Sequence, residues 1–120
     1  MKAVVKKVGE PAEVVEIENT LKAYQDAVGG HFQTLPFGAL FVNFASCGKG
    51  DMEEAKVIEG VILLCDEEGH IKNKPLNFEM PIYDGIFGDV VFVGDGAEDF
   101  RDLTDEETEG VMKKLNKEEK

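Results

Sequence analysis

The chain has 120 residues, 42% hydrophobic and 32% charged, with 25 acids against 13 bases and a formal net charge of −12. That length fits one domain, expected here over residues 1–120 with a frayed end after about residue 116, and the composition supports a packed core rather than disorder. The charge disfavours direct binding to a phosphate backbone, which needs Lys and Arg to displace counterions. The longest apolar run, Val61 to Cys65, is far too short to span a membrane.

Residues 2–8 and 12–18 are rich in Val and Ile and are separated by Gly9-Glu10-Pro11, which predicts a β-hairpin. Asn19 or Thr20 then caps a helix running to about Val28, with Leu21, Tyr24 and Val28 at helical spacing on its core face. Gly29-Gly30 ends it, because glycine enters the left-handed region without a Cβ penalty. Residues 31–35 alternate in period two. Pro36-Phe37-Gly38 reads as a turn, and Ala39 to Ala45 reads as the second strand of another hairpin. Ser46 to Glu54 is polar and glycine-bearing, a loop or the start of a short helix at Asp51.

Residues 57–65 form the most apolar predicted strand. Asp66-Glu67-Glu68-Gly69 closes it as a tight turn, and His70-Ile71 opens a return strand. Asn73 to Asp84 carries two prolines and little periodicity and reads as an ordered loop. Ile86 to Val93 is a buried strand stopped by Gly94-Asp95-Gly96. Thr104-Asp105-Glu106-Glu107 is a capping box opening a helix to about Leu115, with Val111, Met112 and Leu115 on one face. Its acids lie at the N-terminal end and its lysines at the C-terminal end, matching the helix dipole. The order β-β-α-β-β-β-β-α with short connections predicts the α+β class. The sheet is antiparallel or mixed, with about five to six strands and two helices packed on one face.

The chemistry-bearing residues are few. His31 and His70 are the only histidines and stand in no metal-ligand spacing; Cys47 and Cys65 are far apart, and both read as free thiols in a reducing compartment. Between Asp84 and Glu109 there are ten acids and one base, Arg101. Within that stretch Asp95, Glu98, Asp99 and Asp102 crowd one loop, without the alternating ligands and closing Glu of a Ca²⁺ loop. A metal-assisted hydrolase would have to use those four carboxylates. Gly94-Asp95-Gly96 follows a strand but lacks the third glycine of a dinucleotide fingerprint. Cys47-Gly48-Lys49-Gly50 is too short for a phosphate loop. Ser46 and Thr104 stand in no nucleophile elbow. Asn77, between Leu76 and Phe78 in a Pro-bounded loop, and Asp84 are the candidate ligand-binding residues. For Asn77 the competing reading is a side chain that fixes the loop through backbone hydrogen bonds.

Three segments together resemble those of an uncharacterised family, domain of unknown function 3846, made of short proteins of Firmicutes phages, plasmids and conjugative elements. They are Ile17-Glu18-Asn19-Thr20-Leu21 with Val28-Gly29-Gly30, the turn Asp66-Glu67-Glu68-Gly69 with Pro75-Leu76-Asn77, and Asp84 leading to Gly88 and Val93-Gly94. A closing helix like the one after Leu103-Thr104 is also typical of that family. Asp66 stands where the family usually has Asn, and the stretch from Gly38 to Gly60 is longer than the family's. The resemblance implies an accessory role on a mobile element and no particular activity.

The expectation is therefore a cofactor-free, cytoplasmic accessory protein, a monomer or homodimer, that works by binding rather than catalysis. No signal peptide is visible at the N-terminus. The expected partner is a host protein or a small molecule, with no direct nucleic-acid or membrane binding. Two alternatives differ in kind. An acidic mimic of nucleic acid would inhibit a basic host protein. A nucleotide-sequestering protein would frame a pocket from the loops at 46–54 and 73–84, with Lys49, Lys72, Lys74 or Arg101 meeting the phosphates.

Overall fold

The computed structural model describes residues 1–68, 72–78 and 85–118, with side chains to Leu115. The expected first hairpin forms. Strand β1 (Lys2–Lys6) pairs antiparallel with β2 (Glu13–Glu16), Lys2 opposite Glu16 and Val5 opposite Glu13. Gly9 turns the chain with φ +73°, a conformation a Cβ would resist. Helix α1 (Leu21–Val28) opens on Thr20, whose hydroxyl accepts from the Ala23 amide. It closes on Gly29, left-handed at φ +84°, whose N–H donates to the Gln25 carbonyl. Tyr24 and Val28 face the core as expected, but Leu21 lies outside it, 64% exposed.

Strand β3 (Phe32–Leu35) does not turn back into a second hairpin. The chain enters helix α2 (Phe37–Ser46), and β3 pairs instead with β4 (Val61–Asp66), Phe32 opposite Asp66 and Leu35 opposite Leu63. Periodicity alone cannot separate a short apolar run in a strand from one in a buried helix. Packing decides: Phe37 is buried, and Leu40, Phe41 and Phe44 recur beside it at helical spacing. Gly38 lets the helix backbone lie directly against the carbonyl of Ile58. The segment from Asp51 is helical, α3 (Met52–Val57), capped by Asp51 accepting from the Glu53 and Glu54 amides. Val57 to Gly60 belong to the exit of this helix rather than to the strand.

Beyond β4, a short strand β5 (Leu76–Phe78) pairs with β6 (Ile86–Phe87) within the segments predicted as a loop and as one long strand. Gly88, at φ +83°, breaks that long strand before β7 (Val90–Asp95). β7 extends through Asp95 and pairs with β8 (Phe100–Arg101), which had no sequence signal. Helix α4 (Asp105–Glu118) closes the fold on the predicted capping box: the Glu107 amide donates to Thr104 Oγ1 at 3.0 Å, and the Thr104 amide donates to Glu107 Oε1 at 2.9 Å. His70, Ile71 and Asp84 lie outside the described residues.

The class is α+β. The main sheet has six strands in the order β2-β1-β7-β4-β3, with β8 beside β7, and every pairing is antiparallel. Four helices are present among the described residues, not two, and they occupy both faces. Alternation along the strands explains this. Val61, Leu63 and Cys65 of β4, with Val90 and Phe92 of β7, face a core closed by Phe37, Ile58, Val111 and Leu115 of the α2, α3 and α4 region. Leu64, Val91 and Val93 face the other side, under Tyr24 and Val28 of α1. Both central strands are therefore apolar on both faces, which demands a cover on each side.

Candidate functional site

Val28 to Gly30, Asp66, Asn77 and Gly88, drawn from the segments singled out in the sequence, meet at one junction beside the C-terminus of α1. Asp66, at the end of β4, has a fully buried carboxylate. Its Oδ2 is 2.7 Å from Lys74 Nζ and 3.1 Å from Lys72 Nζ, and its Oδ1 accepts from the Glu68 amide at 2.8 Å. Burial pushes this carboxyl up, but the hydrogen bonds from Lys74, the Glu68 amide and Lys72 together outweigh it and hold the group down at about 2. Lys74 also donates to the Val28 carbonyl at 2.9 Å, satisfying a helix-end acceptor. Gly29 and Gly30 leave room for this: a Cβ at either would come within 2.8 Å of a lysine ammonium. Gly88 passes the Lys74 stem on the other side.

Asn77 completes the junction. Its amide nitrogen donates to the Lys6 carbonyl at 2.8 Å and to the Gly88 carbonyl at 2.9 Å, bridging β1 to the β6–β7 link. Its Oδ1 is buried and has no hydrogen-bond partner among the described residues. These bonds give Asn77 a place in the framework, and Asp84 lies outside the described residues. Lys72 and Lys74 are both committed to Asp66, so neither is a spare cation for a phosphate.

Three carboxylates of the acidic stretch accept from backbone amides. Asp89 accepts from the Val8 amide, Asp95 from the Ala97 amide, and Asp99 from the Phe100 amide and the Asn19 side chain. Asn19 in turn accepts from the buried Tyr24 hydroxyl, whose pKa burial and Asp99 push up to about 12. Among the described residues no group of three or more His, Cys, Asp or Glu is placed to hold a metal ion. Gly94-Asp95-Gly96 lies at the β7–β8 connection, and Arg101 lies against Gly94 and Gly60. The Arg101 guanidinium forks onto Glu107 at 2.7 and 2.9 Å and holds that buried carboxyl below the ordinary range against the opposing effect of burial. Arg101 is thus spent on the cap of α4.

The two thiols differ in setting. Cys65 is buried in β4 and its pKa is raised by burial. Cys47 is exposed at the end of α2. His31 Nδ1 lies 3.4 Å from the Gln25 side-chain nitrogen at the surface.

A concavity of about 460 Å³ lies elsewhere, between α2, α3 and α4, a size typical of small-molecule sites. Phe41 and Phe44 of α2 and Ala55, Val57 and Ile58 of the α3 arm give it apolar walls. Gly110 of α4 lies so close that a Cβ there would reach Ile58 Cγ2 at 2.6 Å. The rim is charged. Lys113 pairs with Glu54 at 3.1 Å, and the Lys114 ammonium sits 4.2 Å above the Phe41 ring. Lys49, in the loop predicted as one side of a pocket, also reaches the rim and has no ion-pair partner among the described residues. Sequence reasoning missed Phe41, Phe44 and Val57 because it placed them in strands. The Phe37, Phe41, Phe44 spacing was the available signal for a helix.

A family model matches residues 46–116, from the end of α2 through most of α4. The matched part holds α3, Asp66, Asn77, Gly88 and the α4 wall of the cavity, while Ile17 to Leu21 and Val28 to Gly30 lie before it. Comparison with curated proteins finds no match, and comparison with solved structures finds none. No described helix is long and apolar enough to cross a membrane. The matched residues make up more than half of the chain, and the protein belongs to the family described as Domain of unknown function (DUF3846).

Proposed function

We propose that the protein is an accessory protein of a phage or other mobile element that acts by binding, and that its ligand enters the cavity between α2, α3 and α4. The mobile-element setting comes from the family resemblance. The binding reading is carried by one observation, a cavity of about 460 Å³ with aromatic and aliphatic walls and a charged rim. Such a surface favours a molecule that buries an apolar body and leaves polar ends at the rim. Of the four cations considered for a ligand, Lys72 and Lys74 serve Asp66, and Arg101 serves Glu107. Lys49 alone borders this cavity.

The test is an NMR titration with neutral aromatic fragments such as indole and naphthol. Amide shifts should concentrate on Gly50, Ala55 and Gly110, and Phe44→Ala should weaken them about tenfold, the scale of losing one apolar ring contact. Absence of any shift at millimolar fragment, or shifts spread evenly over the sheet, refutes the cavity as the binding site.

A further inference from the structure

The cavity has a direction, set by how α3 and α4 run past each other. Glu54, at the start of α3, meets Lys113 near the end of α4, while Val57 and Ile58, at the other end of α3, meet Gly110. The two helices are therefore antiparallel across the cavity, and Phe41 of α2 lies at the Lys114 end. Along α4 the wall carries Glu106, Glu109, Gly110, Lys113 and Lys114 in that order. Glu106 and Lys114 are eight positions apart, a rise of about 12 Å along the helix.

Charges already committed at the rim leave that gradient in place. Asp51 is turned onto the amides of Glu53 and Glu54, and Glu54 and Lys113 neutralise each other. Lys114, over the aromatic ring of Phe41, marks one end of the cavity as basic, and Lys49, two positions before the Asp51 cap of α3, borders the cavity toward the same end, where Glu54 meets Lys113. Glu106 and Glu109, both exposed, mark the other as acidic. Between them lie Phe41, Phe44, Val57, Ile58 and the bare backbone of Gly110. An anion alone would meet two carboxylates at the far end, and a cation alone would meet two lysines.

We infer that the cavity takes a zwitterion about 12 Å long, with an apolar body, its anionic end at Lys49 and Lys114 and its cationic end at Glu106 and Glu109. A peptide of three apolar residues with both termini free has these dimensions, at roughly 3.3 Å per extended residue. The inference rests on the binding reading above and adds its ligand class.

The probe is the tripeptide Leu-Phe-Leu, compared by calorimetry with its N-acetylated, C-amidated form and with neutral indole. The free tripeptide should bind about tenfold or more tighter than the capped one, the scale of two partly exposed ion pairs. Lys49→Glu and Glu109→Lys, both at exposed positions, should each weaken the free tripeptide about three- to fivefold. Neither should change the unfolding temperature. Equal binding of free and capped peptide, or of both charge-reversed variants and wild type, overturns the zwitterion while indole binding keeps the cavity reading intact. Failure of indole and both peptides to bind overturns the two together.

Discussion

Asp66→Asn isolates the charge of the junction beside α1, because Asn keeps the shape of the side chain and the acceptor for the Glu68 amide. The wild-type carboxyl is held at about 2 in the fold and titrates near 3.9 when unfolded. A depressed carboxyl contributes stability above its unfolded pKa and loses it as pH falls through the folded one, so the window runs from about pH 4 down to pH 2. At neutral pH the contribution is about 2–3 kcal/mol, which for a chain of this size lowers the unfolding temperature by roughly 10 °C. By about pH 3 half of it is gone, and near pH 2 wild type and variant should unfold almost together. Urea unfolding followed by circular dichroism at pH 7, 4, 3 and 2 measures the gap directly. Lys74 is the more buried partner, lies closer to Asp66 and also bonds the Val28 carbonyl. Lys74→Met should therefore cost more than Lys72→Met. A gap below about 0.5 kcal/mol at pH 7, the level of an ordinary surface pair, or a gap that does not change with pH, would refute the account of Asp66 as a buried, ion-paired carboxylate.

Gly38→Ala should destabilise by about 3 kcal/mol, the upper part of the overpacking range, because its Cβ would overlap the backbone carbonyl of Ile58 and neither helix can yield by a rotamer change. The urea midpoint reads the cost, and a loss under about 1 kcal/mol contradicts the close α2–α3 approach. Titration with Ellman's reagent at pH 8 should find one fast thiol, the exposed Cys47, and a second only on unfolding, since Cys65 is buried and its thiolate disfavoured. Two thiols reacting at one rate in the folded protein would contradict the placement of Cys65.

Local chemistry was legible in the sequence wherever neighbouring residues suffice to fix it. The Thr20 and Thr104 caps, the left-handed Gly29 and the Gly9 turn each depend on a few adjacent residues, and each formed as read. The α+β class with an antiparallel or mixed sheet followed from the element order and short connections, and the two-sided apolar strands β4 and β7 were visible as continuous runs of apolar residues. Burial of Cys65 followed from the same runs.

What depended on distant partners was not legible. Ala39 to Ala45 is apolar on every side, so its own residues permit a strand or a helix; Gly38 against Ile58 and Phe37 against Phe92, with ring centres 4.8 Å apart, made it a helix. That change created the cavity, since Phe41 and Phe44 line it only from a helix packed against α3 and α4. Asp66 looked like a turn residue, and its lysine partners six and eight positions on became visible only once the chain returned past Gly29 and Gly30. Hydrophobic periodicity and capping act over a few residues and are written in the chain. Which faces meet, which charges are buried together and where a cavity is left open depend on contacts between residues far apart in sequence, and those the tertiary structure alone decided.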